Sequence, residues 1–359
     1  MLSIIFSAVV VLTAINAAPT PDSTQSLIQE AGYHVIYSYS GTTIPSSVTS
    51  AAQNGSLGGL ILFGANVNSQ TASQIGSLQS AYARSGAYAG SPLLITTDQE
   101  GGEVNRLPGG PTLSAKQIGQ SANPGTTAAS AGTNVASVFK SYNVNVDLAP
   151  VLGVFRSPGD FLDEFQRSYG NTSGLVSQCV GPFITNMQAS GKVAATAKHF
   201  PGLGAAEASQ NTDEVPVTLG LSLQTLHTVD EVPYTTAIQA GVKLVMPSWA
   251  LYPALDNTYP SGLSKKWIQQ ELRTRLGFKG VTISDAITAG ALKNFGTIEQ
   301  RAVSAVQAGM DIIVVTGNQP SDGVSVAKAL ADAVRSGKID SNAWAASNQR
   351  ILQLRSGLA

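Results

Sequence analysis

Val193-Ala194-Ala195-Thr196-Ala197-Lys198-His199-Phe200-Pro201-Gly202 is a short β-rich run that breaks off into a cation, a histidine and a turn. The same design recurs along the chain. Eight such runs, Tyr33 to Tyr39, Gly59 to Phe63, Leu93 to Thr97, Val144 to Leu148, Val193 to Ala197, Leu244 to Pro247, Val281 to Ser284 and Asp311 to Val315, alternate with segments of helical periodicity. A parallel sheet covered by helices requires that alternation. Helices are expected over Ala72 to Ser85, Thr126 to Tyr142, Leu175 to Ser190, Leu223 to Ala240, Lys265 to Leu276 and Ile298 to Ala308, with Ser264 as an N-cap and Gly277 as a C′ glycine. No Pro/Gly/Ser linker divides the units, so the expectation is an α/β fold, a single-domain (β/α)₈ TIM barrel over residues 19–359. An open doubly wound sheet would want a phosphate-cradling glycine motif after the first strand, and Gly41-Thr42-Thr43 is not one. The final segment, Val326 to Leu358, has helical spacing and is expected to wrap the outside of the barrel.

Composition narrows the function classes. A chain of 359 residues, 43% hydrophobic and 12% charged, can bury a large core. Its net charge of −1 offers no cationic footprint, which excludes nucleic acid as a partner. Cys179 is the only cysteine, so no intrachain disulfide can form. Met1 to Ala18 is uncharged and apolar and ends in Asn16-Ala17-Ala18, the pattern of a signal peptide over residues 1–18. The run is shorter than the ~20 residues of a spanning helix, so a secreted, extracellular monomer is expected, with no membrane association after cleavage. Asn54-Gly55-Ser56 and Asn171-Thr172-Ser173 are glycosylation sequons.

In a barrel of this kind the chemistry sits at the carboxyl ends of the strands. There the sequence places Asp98-Gln99-Glu100-Gly101-Gly102 after the third run, Asp147-Leu148-Ala149-Pro150 at the fourth, Lys198-His199 at the fifth and Ser284-Asp285 at the seventh. Any one of these carboxylates would serve equally well as a helix cap or loop ion-pair partner. Acids and a Lys-His pair converging from separate strands point instead to one pocket. His34 and His227 stand without evident partners and read as structural. No cluster has metal-ligand spacing, no Gly-x-Ser-x-Gly elbow is present, and neither a metal nor a cofactor is expected.

These residues resemble a known family, the N-acetyl-β-glucosaminidases of glycoside hydrolase family 3 in their single-domain form. The resemblance rests on Gly58-Gly59-Leu60-Ile61-Leu62-Phe63-Gly64, Asp98-Gln99-Glu100-Gly101-Gly102 with Arg106, Asp147-Leu148-Ala149-Pro150-Val151, Arg167-Ser168-Tyr169-Gly170, Lys198-His199-Phe200-Pro201-Gly202, and Leu276-Gly277-Phe278-Lys279-Gly280 running to Ser284-Asp285. It implies a retaining exo-glycosidase acting on terminal β-linked sugars, above all N-acetyl-β-D-glucosaminides. Asp285 would be the covalent nucleophile, and Asp98, Arg106, Arg167, Lys198 and His199 would hold the sugar. A carbohydrate is the implied partner.

One stretch departs from the family. Its loop after Lys-His-Phe-Pro-Gly carries an Asp-Ser-His element whose histidine protonates the leaving group, whereas Leu203 to Pro216 contains no histidine. Asn211-Thr212-Asp213 takes its place, which makes Asp213 the expected general acid/base; Glu207 and Glu214 are the alternatives, and so is the lack of an efficient acid. In that last case the chain would be a carbohydrate-binding or nearly inactive relative. A β-glucosidase on the same fold is a further reading.

Overall fold

Side chains alternate between the two faces of a strand, and eight parallel strands here use that alternation to enclose one apolar interior. The structure is a computed structural model that describes residues 24–359, so the leader expected at residues 1–18 lies outside the described residues. The strands are β1 (Val35–Tyr37), β2 (Gly59–Leu62), β3 (Leu94–Thr97), β4 (Val146–Asp147), β5 (Ala194–Phe200), β6 (Leu244–Pro247), β7 (Val281–Ala286) and β8 (Ile312–Val315). They pair in sequence order and close, with β8 beside β1, into the expected (β/α)₈ barrel. Ile36, Ile61, Leu94, Val146, Ala194, Leu244, Ile283 and Ile312 fill the interior. Their neighbours Val35, Leu60, Ile95, Ala195, Val245 and Ile313 face the helices. Burial on both faces explains why the runs read as almost continuously apolar.

A helix follows each strand: Ser46–Asn54, Thr71–Ala83, Pro124–Tyr142, Ser173–Met187, Val232–Gln239, Lys266–Arg275, Ile298–Ala308 and Pro320–Arg335. Local chemistry sets their ends. The Ser264 hydroxyl accepts from the Trp267 amide (3.3 Å), and Gly277 ends that helix at φ 75°. Thr297 and Gln300 form a reciprocal capping box, and Gly309 takes φ 111°.

Three expectations are corrected. Val326 to Leu358 is two helices, Pro320–Arg335 and Ser341–Gly357, separated at Gly337 (φ 70°) and restarted by the Asp340 side chain, which accepts from the Ala343 amide. The second does not merely wrap the outside. Its Ile351 and Leu354, with Leu358, join the interior cluster and close the amino-terminal end of the barrel. His34 is structural but not unpartnered: its ring stacks on Trp344 at 3.8 Å and bonds the Asp311 carbonyl (2.6 Å) and Asn348 Oδ1 (2.8 Å).

Asp311 locks this end. Fully buried, it accepts from Arg273 (2.7 Å), Arg350 (2.6 Å), the Ser347 hydroxyl (2.6 Å) and the Thr282 amide (2.9 Å), joining two strands to two helices. Burial pushes its carboxyl up, but the guanidinium groups of Arg273 and Arg350 overcome this and hold it below the usual range. Asp311→Ala would leave both cations without their anion and is expected to cost about 3–5 kcal/mol, read as a fall in the urea midpoint. Because the folded-state pKa is depressed, the wild-type contribution is present above the unfolded carboxylate pKa and is lost as pH falls through the folded one. The stability gap between wild type and Asp311→Ala is therefore expected to narrow on acidification.

Candidate active site

Counting by two along the strands builds the site. Leu94, Ala194 and Val281 point inward, so Asp98 and Glu100, Lys198, and Asp285 reach the same inner face at the carboxyl end. The pairing of β5 with β6 shifts register between Lys198 and Phe200, which lets the consecutive side chains of Lys198 and His199 enter one space. There a cavity of about 360 Å³ opens, lined by seven of the residues singled out from the sequence, Asp98, Arg106, Arg167, Lys198, His199, Asp213 and Asp285, but not by Asp147, Glu207 or Glu214, with Ile61, Phe63, Leu148, Phe161 and Met246 as apolar walls.

Its floor is an ion chain. Lys198, 2% exposed, places Nζ 2.7 Å from Asp98 Oδ1 and 2.8 Å from Glu100 Oε1. Arg167 grips the same Glu100 through two parallel bonds, Nε to Oε2 (2.9 Å) and Nη2 to Oε1 (2.8 Å). Burial would raise the Glu100 carboxyl, yet Arg167 and Lys198 hold it well below the usual range. Burial works against the Lys198 ammonium, and Asp98 and Glu100 more than reverse that. Glu100 is the residue that sequence reasoning passed over. Its signal was its spacing: two positions beyond Asp98 on extended chain, it shares that residue's face. Asp147, fully buried behind the wall, accepts from the Gln99 amide (3.0 Å) and is pushed well up by burial.

Arg106 arrives on a hairpin formed by Gln99–Gly101 and Val104–Asn105. The buried Gln99 amide organises it, accepting from the Arg106 and Leu107 amides (3.0 and 2.9 Å) and donating to the carbonyls of Leu107 and Gly110 (2.8 and 2.7 Å). Arg106 Nε is left buried with no hydrogen bond of its own.

The loop without a histidine bends over the cavity mouth and docks on the turn that follows β7. The Gly290 amide donates to the Asp213 carbonyl (2.7 Å), and the Ala291 amide to that of Thr212 (3.1 Å). A Cβ at Gly290 would lie 2.1 Å from the Glu214 carbonyl oxygen, so only glycine permits this approach. Of the three candidate acids Asp213 alone lines the cavity. Glu214 is turned to Asn211 (3.2 Å) and Glu207 stands away from the cavity; all three side chains, Asp213 included, are exposed at the surface.

The charge of Asp213 reaches Asp285. Burial, then the charge of Asp213, raises Asp285 to about 7, against the pull of the Ala286 amide (2.7 Å) and Lys198. Asp213 is likewise raised, by loss of water first, with Asp98 adding to the effect and Arg167 and Lys198 opposing it. His199 Nε2 lies 3.9 Å from Asp285 Oδ2. Burial, Arg167 and Lys198 push His199 well below its ordinary value, which leaves a neutral imidazole beside the carboxylate.

Away from the cavity, the fold corrects the reading that no metal-ligand set exists and that His227 stands alone. His227, Glu231 and Glu271 bring one potential ligand atom each within 4.8 Å of one another. His227 and Glu231 are one helical turn apart, and Glu271 comes from the next helix, which hid the cluster from sequence spacing. His227 Nε2 is 2.8 Å from Glu271, and Arg275 contacts both glutamates, so the charges compensate among themselves.

Comparison with known proteins agrees with this architecture. The glycosyl hydrolase family 3 N-terminal domain matches residues 34–354. An uncharacterized secreted glycosyl hydrolase of Arthroderma benhamiae is 47% identical over 350 residues, 98% of this chain and 99% of the relative. A beta-hexosaminidase of Nitrosomonas eutropha is 30% identical over 289 residues, covering 78% of this chain and 80% of its own. Among solved structures, a family 3 beta-N-acetylglucosaminidase from Paenibacillus sp. str. FPU-7 superposes with a TM-score of 0.85 at 31% identity. That alignment covers 92% of this chain but only 62% of the Paenibacillus protein.

The coupling of the two aspartates is directly measurable. Removing the charge in Asp213→Asn is expected to lower the Asp285 midpoint from about 7 toward the ordinary carboxylate range, followed by carboxyl carbon NMR across a pH titration. An unshifted midpoint would show that the two groups do not interact.

Proposed function

The chain belongs to glycosyl hydrolase family 3 and is a glycoside hydrolase, and from that premise we propose that it is a secreted retaining exo-glycosidase releasing terminal β-linked N-acetylglucosamine. One observation carries the proposal: Asp213 and Asp285 line one cavity, where the charge of Asp213 raises the proton affinity of Asp285 and burial raises that of Asp213, while buried cations neutralise the remaining acids. A pair so coupled retains one proton near neutrality. A retaining mechanism needs that state, one carboxylate charged and one carboxyl protonated on opposite sides of the glycosidic bond, about 5 Å apart.

In the first step Asp285 attacks the anomeric carbon. The carbon–oxygen bond to the leaving group breaks as Asp213 gives its proton to that oxygen. In the second, Asp213 takes a proton from water, whose oxygen displaces the Asp285 carboxylate and restores it. The proton is assigned to Asp213 by the part the reaction requires of it, opposite a nucleophilic Asp285; before substrate binds Asp285 is itself raised to about 7, so bound substrate must shift the proton to Asp213. Arg106, with a free buried Nε, joins Arg167, Lys198, Asp98 and His199 in holding the hydroxyl groups. The choice of sugar is supported by the beta-hexosaminidase and beta-N-acetylglucosaminidase relatives. Secretion is supported by the Arthroderma relative and by residues 1–18; no helix among the described residues is long and apolar enough to cross a membrane.

Turnover of an aryl N-acetyl-β-glucosaminide is expected to fall by about 10⁴-fold or more in Asp285→Asn, and a mechanism-based fluoro-sugar is expected to label Asp285 in the wild type. Asp213→Ala should slow substrates with poor leaving groups by about 10²- to 10⁴-fold and the aryl glycoside far less. Equal losses on both would remove Asp213 from the acid role. Saturable sugar binding with no adduct would identify a binding protein instead.

A further inference from the structure

Beside the cavity wall stands an exposed aromatic side chain that the mechanism leaves unused. Phe165 is 46% exposed, and no other phenylalanine among the described residues is as open. Its ring packs edge-on against Phe161 at 5.4 Å, and Phe161 forms part of the cavity wall with the Arg167 guanidinium 5.9 Å over its ring. The apolar wall therefore continues outward from the charged floor to solvent.

The backbone holds this arrangement at some cost. Gln166, directly after Phe165, adopts φ 54°, a left-handed conformation that disfavours any residue but glycine. It is pinned there from several sides. Its amide donates to the Asp163 carbonyl (3.0 Å), its carbonyl accepts from the Lys116 amide (3.2 Å), and its side chain accepts from the Ser114 hydroxyl (3.0 Å). The Arg167 amide then returns to the Leu162 carbonyl (2.7 Å). This kink turns Arg167 into the cavity and leaves Phe165 exposed against Phe161 of its wall.

A cavity of about 360 Å³ is at the small end of ligand pockets and suits one sugar ring, so the next ring of a substrate must lie at the mouth. A β-linked pyranose presents axial C–H groups on its faces, and an aromatic ring covers such a face well while its hydroxyl groups stay in water. We propose that Phe165 is the platform on which the leaving-group sugar ring packs, so that the preferred substrates are β-linked disaccharides and short oligosaccharides. This rests on the glycosidase reading above and adds a specificity-determining residue to it.

The test compares N-acetyl-β-glucosaminyl fluoride, which has no leaving-group ring, with the β-1,4-linked N-acetylglucosamine disaccharide. Phe165→Ala is expected to lower kcat/KM on the disaccharide about tenfold, mainly through KM, and to leave the fluoride within about twofold. Phe165→Tyr should restore disaccharide turnover. Unchanged disaccharide kinetics, or equal losses on both substrates, would overturn the platform. Failure of the wild type to turn over the fluoride would instead count against the glycosidase reading. The platform is then judged by calorimetry on Asp285→Asn, where the disaccharide should bind about tenfold more tightly with Phe165 than with alanine there. Equal affinities would overturn it.

Discussion

An ammonium group can be buried at the mouth of a barrel only if anions come with it. Lys198 is charged and nearly inaccessible because Asp98 and Glu100 each lie within hydrogen-bond reach. Glu100 in turn bears its own burial because Arg167 meets it with two parallel bonds. Desolvation makes each of these charges expensive alone, and mutual pairing makes them stable together. The chain of four runs from β3 across the cavity floor to β5 and the loop that bears Arg167. It fixes the inner end of the cavity before any ligand arrives, and it leaves Arg106 and Asp285 with unspent hydrogen-bonding capacity directed at the space above.

The opposite wall depends on backbone contact. The loop that carries Asp213 makes its bonds through carbonyls, to the amides of Gly290 and Ala291. The turn that supplies these amides follows β7, the strand that carries Asp285. The two aspartates are therefore held relative to each other by a short path, and that path tolerates side-chain change in the loop so long as Gly290 stays bare. A loop anchored by backbone can exchange one acid for another and keep its position. On the proposed reading, this is how a carboxyl can stand where the family resemblance leads one to expect a histidine.

Much of this was legible in the sequence for one reason, the period of two. Eight apolar runs gave the barrel because both faces of each strand are buried, and polar residues at their ends gave the pocket because inner-face parity carries on beyond the strand. Asp98, Lys198, His199 and Asp285, found at strand ends, line the cavity, as do Arg106, Arg167 and Asp213, which only the family resemblance pointed to; Asp147, also at a strand end, does not. What stayed hidden depends on contacts between distant segments. Glu100 lay in plain view within Asp98-Gln99-Glu100-Gly101-Gly102, yet its importance is set by Arg167, 67 positions away. Asp213 was preferred over Glu207 and Glu214 from its place in the loop, but only the folded loop, docked on Gly290, brings it alone of the three to the cavity. The terminal helix read as amphipathic but not as a plug, since periodicity tells which face is apolar and not what covers it. The His227, Glu231 and Glu271 cluster spans two helices and escaped for the same reason.

On the proposed reading, a carboxyl acid brings a property that a histidine in a dyad would not share in the same form. Repulsion between Asp213 and Asp285 acts on both groups, so the proton on Asp213 is retained partly because Asp285 is charged. When Asp285 becomes an ester of the sugar, that charge disappears. Arg167 and Lys198 remain, and both favour the ionised form of Asp213. The acid of the first step is thereby turned into the base required by the second, at the moment it is required and without any movement of the chain. The same electrostatics ties activity to a window of pH. A second proton on the pair silences the nucleophile, and loss of the last one removes the acid, so both limbs of the profile belong to the pair and not to either aspartate alone.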